Sequence, residues 1–175
     1  MSIKSYIRTV PDYPREGILF RDITGLLEDA HGLRIAVDTI VHRYTGQGVD
    51  LVAGIEARGF IFGPVVAYQL GVGFIPLRKA GKLPGEVVGV DYQLEYGTDR
   101  LEMHVGAIQE GSSVLLIDDL IATGGTAEAA VKMIRDVGGV VKECCFVIDL
   151  PELGGIARLK ELGCECFALC EFEGA

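Results

Sequence analysis

The sequence predicts an α/β fold in which a mostly parallel central sheet carries helices on both faces. Apolar runs of strand length alternate with stretches of helical periodicity along most of the chain, and this alternation is typical of parallel strands joined by crossover helices. The continuous apolar run Val114–Ile117 indicates a central strand, since strands buried on both faces have such runs. With 175 residues the chain is one ordinary domain that buries roughly 70% of its unfolded surface.

The first predicted elements are a helix, a strand, a second helix and a second strand. The first helix ends at the turn 45–48 (TGQG), and apolar residues recur on one of its faces: Leu33, Val37, Ile40, Val41 and Tyr44. A strand over Val49–Ile55 follows. The segment Phe60–Leu70 is predicted to be helical, and Val72–Leu77 to be the next strand.

The second half of the chain continues the alternation. Leu101, Met103 and Val105 alternate with polar neighbours and indicate a half-exposed strand. The segment Ala127–Val137 has one apolar helical face and stops at two glycines. Strands are predicted over Val140–Leu150 and Cys164–Glu171.

The stretch Arg78–Arg100 interrupts this pattern. It contains four glycines and Pro84 and lacks a stable apolar period, so it is predicted to be a long loop. Long loops in compact domains are commonly functional.

Composition and charge exclude several classes of function. The formal net charge is −9 and the pI is about 4.8, which opposes sequence-independent binding to nucleic acid or to an anionic membrane surface. The uncharged run 59–77 contains four glycines and two prolines, which favours a buried helix and strand over a membrane span. The N-terminus lacks the apolar core of a secretory signal, and the five cysteines form no metal or disulfide pattern. These features predict a cytoplasmic protein that binds neither nucleic acid nor membrane.

The most informative stretch is Val114–Thr126 (VLLIDDLIATGGT), which leads directly into a predicted helix. Small residues at 122, 124 and 125 let backbone N–H groups approach an oxyanion, and Thr123 and Thr126 add hydroxyl donors beside the positive end of the helix dipole. No Gly-Lys-Ser/Thr closes the loop, so it is not a Walker loop. An ordinary glycine-rich turn capped by Thr126 is the alternative. The adjacent acids Asp118 and Asp119 favour a ligand site, since paired carboxylates require cationic or hydroxyl partners.

A local basic patch accompanies this loop. Between Ala57 and Gly85 the chain carries Arg58, Arg78, Lys79 and Lys82 and no acid. Four cations within an acidic chain can meet a polyanionic ligand, although a solvated cationic face is the simpler alternative.

The loop Val114–Thr126 resembles the phosphoribosyl-pyrophosphate motif of the type I phosphoribosyltransferase family. Four other segments resemble members of this family in the same order, so the likeness covers nearly the whole chain. They are Pro14–Thr24 (PREGILFRDIT), Gly54–Phe60 (GIEARGF), Arg78–Gly85 (RKAGKLPG) and Leu94–Asp99 (LEYGTD).

The resemblance implies a reaction and a domain plan. It implies transfer of ribose 5-phosphate from 5-phosphoribosyl 1-pyrophosphate (PRPP) to N9 of adenine, giving AMP and pyrophosphate in the presence of Mg²⁺. It also implies the family's fold in one domain, with a hood formed mainly by residues 1–30 with a C-terminal contribution. The core is expected to span about residues 31–150, and within it a mobile lid is expected to span about residues 78–100. Family members are typically homodimers.

The resemblance also assigns residues to roles. Glu95 is expected to act as the general acid/base, while Arg58 and Lys79 stabilise the leaving pyrophosphate. Asp118 and Asp119 are expected to meet the ribose hydroxyls, directly or through hydrated Mg²⁺ that the substrate also holds. The full set expected to bind PRPP is Ala57, Arg58, Gly59, Lys79, Lys82, Tyr96, Asp118, Asp119, Ala122, Thr123, Gly124, Gly125 and Thr126.

Adenine is expected to lie under the hood. By the resemblance, Phe20 is expected to stack on the base and Leu120 to cover its other face, while the main chain around Leu19 and the side chain of Arg21 are expected to read its edge. Two alternatives remain at this point: a transferase for hypoxanthine, guanine or xanthine, and a PRPP-sensing regulator that binds nucleic acid. The acidic charge and the lack of an added DNA-binding domain oppose the regulator.

Overall fold

The computed structural model describes residues 2–94 and 97–174. Its centre is a seven-stranded sheet with the strand order β5-β6-β4-β3-β7-β8-β9. The strands of this sheet are β3 (Leu51–Ile55), β4 (Gly73–Lys79), β5 (Val87–Leu94), β6 (Gly97–His104), β7 (Ser113–Ile121), β8 (Val140–Asp149) and β9 (Cys166–Glu171). The five strands β4, β3, β7, β8 and β9 are parallel to their neighbours in this group. At the other edge β6 pairs antiparallel with both β4 and β5. The predicted mostly parallel sheet is confirmed.

Helices cover both faces of the sheet, as predicted. They are α1 (Thr24–Glu28), α2 (Ala30–Tyr44), α3 (Gly59–Leu70), α4 (Gly125–Asp136) and α5 (Gly155–Glu161). One apolar cluster joins α4 and α5 to the sheet, and a second joins the first three helices to the other face. Each face therefore has its own core. Within the described residues no helix is long and apolar enough to cross a membrane.

The run Val114–Ile117 lies in the first half of β7 and is fully buried. Its residues alternate between the two apolar clusters, so both faces of the strand are covered. This placement explains the continuous apolar run, because a strand with helices on both sides has no polar face.

The prediction of a long loop over Arg78–Arg100 is wrong. The segment is mostly a β-hairpin, in which β5 and β6 pair from Val87 with His104 to Leu94 with Gly97. The strand predicted over residues 101–105 accordingly begins earlier, and Val105 lies beyond it and is exposed. The mobility expected of this segment stays a prediction.

A two-stranded ribbon stands apart from the main sheet near the N-terminus. Its strands, β1 (Arg8–Pro11) and β2 (Leu19–Asp22), pair antiparallel. The ribbon contacts the C-terminal residues, since the Arg21 guanidinium donates to the carbonyls of Glu173 and Gly174. These are the parts of the chain to which the hood was assigned.

Candidate active site

A cavity of about 250 Å³ lies at the carboxyl ends of β3 and β7, where ligands of open α/β sheets ordinarily bind. Eight of the residues that the sequence singles out line it: Lys79, Asp118, Leu120, Ala122, Thr123, Gly124, Gly125 and Thr126. The fold thus brings the loop after β7, one acid and one cation together around a single space.

The loop after β7 is shaped to receive an anion. Gly124 has a φ of 82° and immediately precedes α4, in a backbone conformation that favours glycine. The N-terminus of α4 has no side-chain cap hydrogen bond, so the N–H groups of its first turn are free to meet a ligand. Together with the helix dipole, these groups suit a phosphate.

The two acids of β7 have different surroundings. Asp118 lines the cavity, whereas the Asp119 carboxylate is 2.5 Å from the Arg58 guanidinium and its side chain is 5% exposed. The sequence placed both acids where the strand turns into the loop, but β7 continues to Ile121. Successive side chains of a strand point to opposite faces, so the two carboxyl groups have different neighbours although they remain close enough to interact. Burial, followed by the neighbouring charge of Asp119, raises the pKa of Asp118.

The connection from β3 to α3 lies directly against these acids. A Cβ on Gly59 would be 2.9 Å from the carbonyl oxygen of Ile117 and 3.1 Å from Oδ1 of Asp118. Only glycine fits there without a shift. Ala57 and Arg58 precede it and are exposed, so this connection presents its backbone and one guanidinium beside the acid pair.

The predicted basic patch is largely ion-paired. Lys79 is 2.9 Å from Asp99, and the Arg78 guanidinium is 2.9 Å from Glu56. The hydrogen bond between Lys79 and Asp99 raises the pKa of Lys79 and lowers that of Asp99. Acids from elsewhere in the chain therefore neutralise cations that appeared unopposed in the sequence.

Lys82 lies apart from this cluster. It is exposed in the turn after β4 and does not line the cavity. Its carbonyl oxygen accepts a hydrogen bond of 3.2 Å from Nη1 of Arg78.

The hairpin contributes residues that the sequence analysis missed. Tyr92, Leu94 and Leu101 line the cavity. The Tyr92 hydroxyl donates to Oδ2 of Asp99 at 3.3 Å and also contacts Thr126 of the loop, while burial raises the pKa of Tyr92. The hairpin thereby connects Lys79 with the phosphate-loop side of the cavity.

The aromatic side chain predicted to hold the base lies beside Arg58. The Phe20 ring is 5.7 Å from the Arg58 guanidinium carbon and makes an edge contact of 5.1 Å with Tyr13. Leu19 is half-buried on the same ribbon. Leu120 of β7 lines the cavity. A planar ligand group could therefore contact apolar side chains of both the ribbon and β7.

Arg21 has structural contacts that differ from its predicted role. The side chain is buried, donates to Oγ1 of Thr9 at 2.6 Å, and holds the C-terminal carbonyls. Its guanidinium carbon lies 4.7 Å from the Phe172 ring. These contacts tie the ribbon to the C-terminus, and the reading of a base edge by this side chain stays a prediction.

Two predicted site residues, Glu95 and Tyr96, lie outside the described residues. Their assigned roles stay predictions. Leu94, the residue before them, lines the cavity.

The arrangement can bind a ligand with two anionic ends and a polar middle. The loop suits a phosphate, Asp118 can accept hydrogen bonds from hydroxyl groups, and Lys79 offers a cation on another wall of the cavity. Arg58 adds a second cation beside an aromatic ring. These features fit a sugar phosphate that carries a further anionic group near a flat base.

Comparison with known proteins identifies the architecture. Residues 26–162 match the family model described as phosphoribosyl transferase domain. The adenine phosphoribosyltransferase of Nitrosospira multiformis is 64% identical over 174 residues, which is 99% of both chains.

Solved structures agree with this match. The crystal structure of adenine phosphoribosyltransferase from Thermoanaerobacter pseudethanolicus superposes with a TM-score of 0.91 at 46% identity, covering 97% of this chain and 98% of that one. The Saccharomyces cerevisiae enzyme, crystallised with adenine and an imino-altritol bisphosphate, gives a TM-score of 0.90 at 38% identity over 96% of both chains.

Proposed function

The chain belongs to the phosphoribosyltransferase family, and from that membership we propose that it transfers ribose 5-phosphate from PRPP to N9 of adenine. The products are AMP and pyrophosphate, so the chain is a pentosyltransferase. The observation that carries this function is the cavity in which the loop 122–126 faces Asp118 and Lys79. Full-length relatives that carry the name adenine phosphoribosyltransferase support adenine as the acceptor.

The loop and the cations divide the two anionic ends of PRPP between them. The backbone N–H groups of 124–126 and the hydroxyls of Thr123 and Thr126 hold the 5-phosphate. Lys79 and Arg58 hold the pyrophosphate, where negative charge accumulates as the bond to the anomeric carbon breaks. Preorganised cations that meet developing charge lower the barrier.

The ion pairs of the patch supply this preorganisation. Asp99 holds Lys79 at the cavity, and Asp119 holds Arg58 beside it. In both pairs the cation is about half exposed, whereas the carboxylate is largely buried. The cations can therefore reach an incoming anion while the acids keep them in place.

Magnesium is part of this proposal. Among residues 2–94 and 97–174 no group of three or more His, Cys, Asp or Glu side chains is arranged to hold a metal ion. Asp118 nevertheless lines the cavity, and its carboxylate oxygens can ligate a metal. One or two carboxylates with substrate phosphate oxygens are the usual ligands of Mg²⁺, so Asp118, with Asp119 beside it, fits the ion. When bound, Mg²⁺ supplies charge stabilisation to the pyrophosphate.

A direct assay tests the function. Wild-type protein mixed with adenine, PRPP and Mg²⁺ is expected to form AMP and pyrophosphate in equal amounts. A reaction without base measures hydrolysis of PRPP by water. If pyrophosphate appears only at the rate of that control, the chain does not transfer to adenine. Retention of DNA or RNA on filters would instead favour the regulator.

We expect the enzyme to use adenine with a far higher kcat/KM than hypoxanthine. The exocyclic N6 of adenine donates where O6 of hypoxanthine accepts, and a site built for a donor leaves buried groups unpaired with an oxo base. Mismatches of this kind can reach about 10⁴-fold. Parallel assays with the two bases measure the ratio, and similar kcat/KM values would overturn adenine specificity but not the transferase.

We also propose that the chain acts as a homodimer through α3. This helix has no charged residue, and apolar helices are ordinarily buried on all sides, yet Val65 and Tyr68 are 43% and 81% exposed. The substitution Tyr68→Glu is expected to convert a dimer to a monomer in light scattering. Asp38→Asn on α2 is a control for altered surface charge. A wild-type monomer, or a dimer that survives Tyr68→Glu, would contradict the proposal.

The cytoplasmic location stays a prediction.

A further inference from the structure

Helix α5 packs its backbone directly on the loop before α4. A Cβ on Gly155 would lie 2.4 Å from the carbonyl oxygen of Ala122, and a Cβ on Gly124 would lie 3.0 Å from the backbone of Gly155. The first distance is too short for a side chain, and the second is tighter than an ordinary van der Waals contact. The first turn of α5 is therefore in backbone contact with the proposed phosphate site.

One turn further along, Arg158 reaches back to the same loop. Its Nε donates to Oε2 of Glu128 in a close ion pair, and its Nη1 lies 3.5 Å from the carbonyl oxygen of Thr123. A Cβ on Gly125 would be 3.7 Å from the same Nη1. The side chain is 47% exposed, so its guanidinium lies at the edge of the loop with part of its surface open to solvent.

The ion pair between Arg158 and Glu128 affects the charge next to the proposed phosphate site. It lies in the first turn of α4, where a carboxylate suits the helix dipole but repels a phosphate bound at the same helix end. Two cations flank it, since Lys132 Nζ is 2.5 Å away and Arg158 contacts the other oxygen. The hydrogen bond from Lys132, with a further one from Arg158, lowers the pKa of Glu128. The carboxylate is therefore charged at neutral pH, and the two cations offset its repulsion of a phosphate.

We propose that Arg158 is a positioning residue for the 5-phosphate of PRPP. Together with Lys132 it offsets the charge of Glu128 beside the incoming phosphate, and it steadies the loop at the Thr123 carbonyl so that the N–H groups of the loop face the ligand. This inference rests on the proposed function and adds a residue from α5 that neither the motif nor the cavity lining includes.

The substitution Arg158→Gln tests the proposal. We expect KM for PRPP and Kd for ribose 5-phosphate to rise about tenfold, since the loss of one cation several ångströms from the ligand has an effect of this order. The kcat is expected to change less than twofold, because the reacting carbon is remote from the phosphate. The Kd for pyrophosphate is expected to stay unchanged, since that end of PRPP binds elsewhere.

Three further variants separate electrostatic positioning from general damage to the helix. Arg158→Lys is expected to recover most of the affinity for ribose 5-phosphate, because it keeps the charge. The double variant Glu128→Gln, Arg158→Gln is expected to recover it too, since the repelling carboxylate is gone. Lys160→Gln removes a cation from the same helix, away from the loop, and is expected to bind ribose 5-phosphate as the wild type does.

Two outcomes would overturn the inference: wild-type affinity for ribose 5-phosphate in Arg158→Gln, or equal losses for ribose 5-phosphate and pyrophosphate. Failure of the double variant to regain affinity would overturn the role of Glu128. Failure of the proposed function is recognised separately, by the lack of AMP formation in the wild type. Calorimetric titration with ribose 5-phosphate measures the affinities on which the inference depends, and it does not require the transfer reaction.

Discussion

The substitution Gly125→Val is expected to reduce affinity for PRPP at least about 100-fold while the protein stays folded. Gly125 begins α4 and lines the cavity. A Cβ at this position meets only ordinary contacts, at 3.6 Å from the Gln93 carbonyl oxygen and 3.7 Å from Nη1 of Arg158. The chain can thus accommodate a side chain there, but its two methyl groups occupy the space that the phosphate requires.

Thermal melting with and without ligand measures this effect. At a ligand concentration of about 100 times Kd, binding stabilises the wild type by about 2.7 kcal/mol, which raises Tm by roughly 5 to 10 °C for a chain of this size. In Gly125→Val the same concentration is expected to leave Tm almost unchanged.

Two controls accompany the valine variant. Ala157→Val introduces the same β-branched side chain on α5 at an exposed position and is expected to keep the full ligand-induced shift. Gly125→Ala adds one carbon and is expected to lie between the wild type and valine. A full shift in Gly125→Val would show that the phosphate binds somewhere other than this loop.

The parallel core of the fold could be predicted from the sequence because its hydrophobic pattern has one explanation. A strand such as β7 that is apolar on both faces, followed by the one-sided apolar face of α4, requires a sheet covered by helices. The same logic located the loop between them. Residues 122–126, which share that loop, accordingly line one cavity, while their roles in binding stay predictions.

The hairpin was missed because its glycines resembled loop signals. Gly89 lies opposite β6, and a Cβ there would be 2.8 Å from Nε of Arg100 and from the carbonyl oxygen of Leu101. It is thus a site of close packing within a strand. The alternating residues Val88, Val90 and Tyr92 carried the strand signal, and all three pack against the core.

The charge state of the site could not be predicted from the order of residues. Arg58, Arg78 and Lys79 stand in a stretch without acids, yet each pairs with a carboxylate brought by another strand or loop. Counting charges along the chain misses such pairs, because tertiary contacts form between segments that are distant in sequence. The different surroundings of Asp118 and Asp119 depend similarly on where β7 ends, and strand ends are hard to predict from sequence.

The substitution Glu95→Gln is expected to lower kcat by about 10² to 10⁴-fold, the usual contribution of a general acid/base. Glutamine keeps the size of the side chain but cannot exchange a proton with the purine. Affinities for PRPP and adenine are therefore expected to change little. Asp91→Asn is the matched control: it removes one carboxylate from β5, at a side chain that is 64% exposed and pairs with Arg100, and it is expected to keep kcat.

Rate measurements must separate chemistry from closure of the hairpin, because a poorly closing lid also lowers kcat. Single-turnover mixing of adenine with enzyme that already holds PRPP isolates the step in which the base attacks. In the wild type the rate of this step is expected to depend on pH with a limb that reports the acid/base group, and Glu95→Gln is expected to lose that limb. A single-turnover rate equal to that of the wild type would show that Glu95 is not the acid/base. A slow step that keeps the wild-type pH dependence would assign the residue to closure of the hairpin instead.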